Sequence, residues 1–130
     1  MSICPFCEKY NKPAILSENT MFFSIYDAFP VTKGHLLIIP KRHFAVFFDV
    51  KNEEAETLIP FIREAKDRLL SEDSSISGFN IGINIGKTAG QSIEHCHLHL
   101  IPRRKGDTDT PLGGVRGVIP GKRGYKNTYD

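Results

Sequence analysis

At 130 residues, 40% hydrophobic and 25% charged, the chain is sized for one domain around one core, and its composition excludes a disordered or fibrous class. Its apolar stretches are too short to span a bilayer, and the opening Met1-Ser2-Ile3-Cys4-Pro5 has neither a basic region nor an apolar run, so a cytoplasmic protein without a membrane partner is expected. The net charge of +2 is unevenly spread: residues 103–130 hold seven basic and three acidic residues, about +4, which leaves about −2 for the rest.

Residues 1–13 read as an irregular start, with Pro5 and Pro13 as breakers. A short strand is expected over 14–16, with a turn at Glu18-Asn19. The aromatic-rich segment 20–27 reads as a strand. Residues 30–34 form a loop, and the apolar run 35–40 reads as a strand buried on both faces. The spacing of Ala55, Leu58, Ile59, Ile62, Ala65 and Leu69 predicts one long helix over 51–70, with Asn52 as its N-cap and Glu53 and Glu54 in its first turn. Pro60 sits inside that pattern, and a bend or a later start is expected there. Residues 71–77 read as a polar loop. Phe79, Ile81, Ile83 and Ile85 alternate with polar residues as in a half-buried strand, and 94–102 alternates again. From 103 onward Pro, Gly and charge dominate, and an irregular basic tail is expected. Such a tail suits either an anionic ligand or plain solvation. Its basic residues are not interleaved with aromatics and match no nucleic-acid reader, so no nucleic-acid partner is expected. The order predicts a single α+β domain with a mainly antiparallel sheet of about five strands and one long helix. One helix over a small sheet leaves an edge exposed, which fits a two-fold dimer.

The run His95-Cys96-His97-Leu98-His99 holds three of the five histidines. In a strand, alternate side chains share a face, so three imidazoles point one way, about 6.5–7 Å apart, while Cys96, Leu98 and Leu100 point the other. Burying three imidazoles without partners is costly, so the row reads as functional. Two chemistries use it: metal binding, and phosphoryl or nucleotidyl transfer by a neutral imidazole whose neighbours donate hydrogen bonds. Gly90-Gln91-Ser92 lies just before the run and offers an amide, a hydroxyl and backbone N–H groups suited to phosphate oxygens.

The segment 84–103, with Asn84, Gly90-Gln91-Ser92 and the histidine run, resembles the signature of the histidine-triad (HIT) superfamily. Asp27-Ala28-Phe29-Pro30 and the segment 34–43 resemble that family too. The resemblance implies that His97 is a nucleophile forming a transient nucleotidyl-imidazole. It implies that His99 and Gln91 contact the α-phosphate, that Ser92 meets the leaving-group side and that His35 sits behind the nucleophile. It implies that Asp27 binds ribose hydroxyls and that Asn84 lies beside ribose and phosphate. Phe22 and Ile25 are candidates for the base pocket.

Cys4 and Cys7 form a C-x-x-C pair, open to three readings: two ligands of a structural zinc, a metal-free thiol pair, or a redox motif. By resemblance to members that close a zinc site with their N-terminus, His43 and His95 complete the ligand set. The family divides into dinucleoside polyphosphate hydrolases and nucleoside phosphoramidate hydrolases. The basic stretch after the triad and the absence of tryptophan favour the first, diadenosine tetraphosphate-like cleavage, by resemblance. A nucleotide- or zinc-binding module without turnover is the reading from another class.

Overall fold

The computed structural model describes residues 4–10 and 14–125. Within them, helix α1 (Pro5–Tyr10) precedes strands β1 (Ser17–Glu18), β2 (Phe22–Tyr26) and β3 (Leu36–Pro40). Helix α2 (Asn52–Glu72) and strands β4 (Ile76–Gly82) and β5 (Leu98–Arg104) follow. The five strands form one antiparallel sheet in the order β1-β2-β3-β5-β4. This is the α+β architecture that the alternation of strand and helix patterns predicts.

Strand alternation divides the core in two. Phe22, Leu36, Ile38, Leu98 and Leu100 point to one face and pack on Leu58, Phe61, Ile62, Ala65 and Leu69 of α2. Phe23, Ile25, Leu37 and Ile39 point to the other face, where Phe6 of α1 covers them. Register puts His99 opposite Leu37, and therefore on the face away from α2.

Several local expectations need correction. The N-terminal segment is helical at Pro5–Tyr10, because Pro5 occupies a first-turn position that needs no N–H and Phe6 gains burial. The first strand falls at Ser17–Glu18 rather than 14–16. The Asn19 side chain accepts the N–H groups of Met21 and Phe22 and makes the turn there. Helix α2 runs through Pro60 without interruption. Pro60 and Glu56, whose carbonyl loses its bond, both lie on the exposed side, where water can serve that carbonyl. The buried stripe contains Phe61 and Glu54, whereas Ala55 and Ile59 face outward. Lys51 rather than Asn52 is the N-cap, and the Glu54 carboxylate accepts its backbone N–H at 2.8 Å. Strand β4 begins at Ile76, inside the expected loop.

Candidate active site and candidate metal centre

The largest shift from expectation concerns the histidine run itself. Strand β5 starts at Leu98, so residues 95–97 lie off the ladder. Pro40, at the end of β3, has no N–H to continue pairing past Ile38 and Leu98. The run is held by other bonds instead. The Cys96 N–H donates to the Phe44 carbonyl at 2.7 Å, and His95 Nε2 donates to the Pro40 carbonyl at 2.8 Å. His95 is thereby fully buried, with 0% exposure.

His95 turns its ring toward the C-x-x-C pair. Its Nδ1 lies 3.3 Å from Cys4 Sγ, 3.6 Å from Cys7 Sγ and 3.0 Å from His43 Nδ1. Cys7 Sγ is 3.4 Å from His43 Nδ1. All four donor atoms fall within 4.8 Å of one another, and the group could hold a metal ion. The donor set is chemically apt: two thiols and two imidazoles form a soft site, and the spacings approach the roughly 3.3–3.8 Å edges of a zinc tetrahedron. The proton inventory fits as well. A carbonyl only accepts, so Pro40 keeps the His95 proton on Nε2 and leaves Nδ1 with a lone pair facing the cluster. Desolvation, then the neighbouring Cys4 thiol, push the Cys7 thiol above its ordinary value. A bound cation would reverse that.

His97 and His99 stay on the same face but point elsewhere. His97 Nδ1 donates to the His95 carbonyl at 2.8 Å, so a neutral His97 ring keeps its lone pair on Nε2. The ring is 7% exposed. Phe6 stands edge-on against it at 5.0 Å between centroids, and His99 at 5.4 Å. His99 Nδ1 lies 2.9 Å from His35 Nε2, and His35 Nδ1 accepts the Val31 N–H at 3.1 Å. Asp27 Oδ2 is 3.4 Å from His35 Nε2 and 3.9 Å from His99 Nδ1, while its Oδ1 accepts the Phe29 N–H at 2.9 Å. Burial lowers the proton affinity of His35 and, with the charges of His97 and His35, that of His99; the Asp27 carboxylate opposes both shifts. Neutral rings are therefore the resting state.

The remaining candidates divide. Ile25 lies beneath the site on the histidine face, buried beside Leu37. Phe22 does not join it: it is on the α2 face, stacked on Phe61 at 6.3 Å, so the placement makes it core and removes it from the base pocket. The Gln91 amide gives both N–H groups away, to the Ala45 carbonyl at 2.7 Å and the Ile93 carbonyl at 3.0 Å, and its oxygen accepts the Gly86 N–H. Gln91 therefore holds the loop before the triad, with both of its N–H groups engaged by backbone carbonyls. Ser92 is exposed and lines an open depression with Cys4, Cys7 and His43. Asn84 is half-buried.

Two arginines of the basic stretch after the triad are paired with acids. The Arg103 guanidinium binds both Asp107 oxygens at 2.8 Å and Asn80 at 2.7 Å. Arg104 reaches Asp73 Oδ2 at 2.8 Å and the Lys33 carbonyl at 2.9 Å. Two features were invisible in the sequence. Phe6, between the two cysteines, walls His95 and His97. Arg42 pairs with buried Glu54 at 2.7 Å and so clamps the segment that carries His43, Phe44 and Ala45. Spacing gives no signal for either.

The HIT domain family model matches residues 8–106. A Mycobacterium tuberculosis protein described as an AP-4-A phosphorylase is 33% identical over 109 residues, covering 82% of this chain and 55% of that protein. The chain thus spans about half the length of that relative. The adenosine 5'-monophosphoramidase hnt1 of Schizosaccharomyces pombe is 30% identical, covering 77% of this chain and 74% of the relative. A Zn-bound histidine triad family protein from Mycobacterium smegmatis has a similar solved structure. It is 36% identical at a TM-score of 0.69, over 82% of this chain and 79% of that one. Histidine pattern, fold and sequence matches agree: the chain belongs to the HIT family.

Proposed function

We propose that the protein cleaves the α-phosphate linkage of a dinucleoside polyphosphate through a nucleotidyl-His97 intermediate. The observation that carries this reading is the 2.8 Å hydrogen bond from His97 Nδ1 to the His95 carbonyl, which leaves the Nε2 lone pair free to attack. His97 Nε2 bonds to the α-phosphorus as the bond to the leaving group breaks, and the leaving group takes that electron pair. The ring becomes cationic and keeps its Nδ1–H on the carbonyl, which accepts more strongly from a charged donor. Water then attacks phosphorus, the P–N pair returns to Nε2, and a nucleoside monophosphate and one proton leave. His99 donates to a phosphate oxygen, and His35, expected behind the nucleophile, stands instead behind His99, 2.9 Å from its Nδ1. Asp27 accepts ribose hydroxyls, Asn84 and Ser92 border the phosphates, Ile25 floors the base pocket, and Gln91 braces the loop.

A phosphoramidate substrate is the second reading, favoured by one observation: Arg103 and Arg104 are paired with Asp107 and Asp73 and add little free charge for extra phosphates. A polyphosphate leaves as a stable anion, whereas an amine must be protonated as it leaves. Incubation with diadenosine tetraphosphate and with adenosine 5'-phosphoramidate distinguishes them. Faster cleavage of the first upholds the proposal, and faster cleavage of the second replaces it. Turnover of neither leaves a binding module. Retention of full activity by His97→Ala would refute the nucleophile.

We further propose that Cys4, Cys7, His43 and His95 hold a structural Zn2+. When bound, it joins α1 to the loop after β3 and to the histidine run, and takes no part in bond breaking. Thiol ligands suit a reducing, cytoplasmic setting. Among the described residues, strand β4 pairs with β5 alone and ends the sheet, and that edge supports a homodimer. The partner in this reading is a small nucleotide, with no nucleic acid and no membrane. One HIT domain spans 1–130, its N-terminus serving the metal and its basic tail starting at the end of β5.

A further inference from the structure

We propose that the backbone N–H of Val31 is a positioning group that sets the tautomers of His35 and His99, so that His99 presents an Nε2–H donor. A backbone N–H can only donate. It lies 3.1 Å from His35 Nδ1, so that nitrogen holds a lone pair and a neutral His35 carries its proton on Nε2. Two lone pairs cannot face each other across the 2.9 Å that separates His35 Nε2 from His99 Nδ1. The proton on His35 Nε2 is donated to His99 Nδ1, and a neutral His99 keeps its own proton on Nε2. Asp27 Oδ2, 3.4 Å from His35 Nε2, attracts the same proton and reinforces the pattern.

The amide is held for this role. Thr32 Oγ1 donates to the Pro102 carbonyl at 2.8 Å, and Arg104 donates to the Lys33 carbonyl at 2.9 Å, so the loop before β3 is tacked to β5. The His35 N–H donates to the Thr32 carbonyl at 3.2 Å and closes the turn around the ring. His35 is 3% exposed, and Val31 is 67% exposed. The ring therefore has little access to water as an alternative partner, while the Val31 side chain contributes little to packing. The same proton arrangement works against a cation among Asp27, His35 and His99, whose donor atoms lie within 4.8 Å of one another. A metal on His35 Nε2 would push the proton to Nδ1, against the Val31 N–H.

The tautomers follow from the hydrogen bonds alone; their effect on turnover rests on the function proposed above. Long-range 1H–15N correlation spectra of the 15N-histidine-labelled protein at pH 8 read the tautomers directly. Both rings are expected as Nε2–H. An Nδ1–H ring, or exchange-averaged nitrogen shifts, at either residue overturns the proposal without reference to activity. Val31→Ala keeps the amide and should reproduce the wild-type spectrum. Val31→Pro removes it and should give averaged shifts at His35 and His99; if both stay purely Nε2–H, Asp27 is the orienting group and the proposal is wrong. The wild-type spectrum decides even if Val31→Pro does not fold. With whichever nucleotide is turned over, Val31→Pro should lower kcat by about tenfold at unchanged KM. That is less than the about 10²–10³-fold cost of deleting a transition-state donor, because part of the population keeps the correct tautomer. An unchanged kcat beside altered tautomers would overturn the catalytic consequence. A wild-type protein inert toward both nucleotides would sink the proposed function and leave the tautomer result standing.

Discussion

The carbonyl of His95 accepts the Nδ1–H of His97 at 2.8 Å, so one residue serves two sites: its ring faces Cys4, Cys7 and His43, and its backbone aims the neighbouring ring. The candidate metal-binding group and the candidate nucleophile are therefore joined by a single peptide unit.

Loss of a ligand should be felt at both. Cys4→Ser is expected to lower affinity for zinc by more than the about 10–100-fold that loss of an outer-shell partner costs. Metal content by mass spectrometry and release to a chromogenic chelator check this. The melting temperature should fall with it, because α1 and Phe6 would lose their anchor to the sheet. Unchanged zinc content in Cys4→Ser would rule Cys4 out as a ligand.

Glu54 is 2% exposed, binds Arg42 at 2.7 and 3.2 Å, and accepts the Lys51 N–H at 2.8 Å. Burial alone pushes its carboxyl up, but the hydrogen bonds from Arg42 and Lys51 and their positive charges outweigh burial and hold it below the usual range. A carboxyl with a depressed folded-state value stabilises above its unfolded value, about 4.3, and loses that contribution as pH falls toward the folded one. Glu54→Gln should cost about 2 kcal/mol at neutral pH, a drop of roughly 6–10 °C in Tm. It should also flatten the acid limb of the stability–pH curve. An acid limb identical to wild type would remove Glu54 from the account.

Gln91 is 8% exposed and donates to two carbonyls, so a carboxylate at the same place meets two acceptors with nothing to give. Gln91→Glu is expected to destabilise by about 3 kcal/mol. It should also loosen the loop 86–93, as read by hydrogen exchange at Gly86. Were Gln91 a phosphate donor instead, the variant would lose activity while Tm and exchange stayed at wild-type values.

His35 and His99 sit below their ordinary value of 6.5, chiefly through burial. An unfolded chain binds protons below about 6.5 that the fold resists, so stability from these rings is complete above that pH and declines as pH falls toward their folded values. Protonation of His99 on Nδ1 would place a proton on each side of the 2.9 Å contact and break it, and protonation of His35 on Nδ1 would oppose the Val31 N–H. The acid limb of activity should therefore lie below pH 6.5, in step with the Cε1–H shifts of the two rings. An acid limb above 6.5 would assign it to another group.

Much of the molecule was legible from pattern alone. Alternation in Leu98 and Leu100 against His99 named the face that packs on α2 and the face that carries the chemistry, since a strand has a period of two whatever surrounds it. The long helix was legible from spacing, although its stripe included Phe61 where Ile59 was expected, because three- and four-residue steps define several neighbouring faces nearly equally well. The start of β5 was not legible: Pro40 ends the pairing, and that residue is 58 positions away from Leu98 in the sequence.

The division between sequence and fold is clearest at the site. Residue types and local order alone determined that imidazoles 97 and 99 share a face, that two thiols stand three positions apart, and that a carboxylate and a histidine flank a loop. Only tertiary structure decided where each side chain finds its partner: Gln91 on the backbone carbonyls of Ala45 and Ile93, Arg103 and Arg104 on Asp107 and Asp73, and Phe22 on Phe61. Hydrogen bonds are satisfied between segments distant in sequence, so a side chain's partner, and with it its available chemistry, is set by the fold and not by its neighbours in the chain.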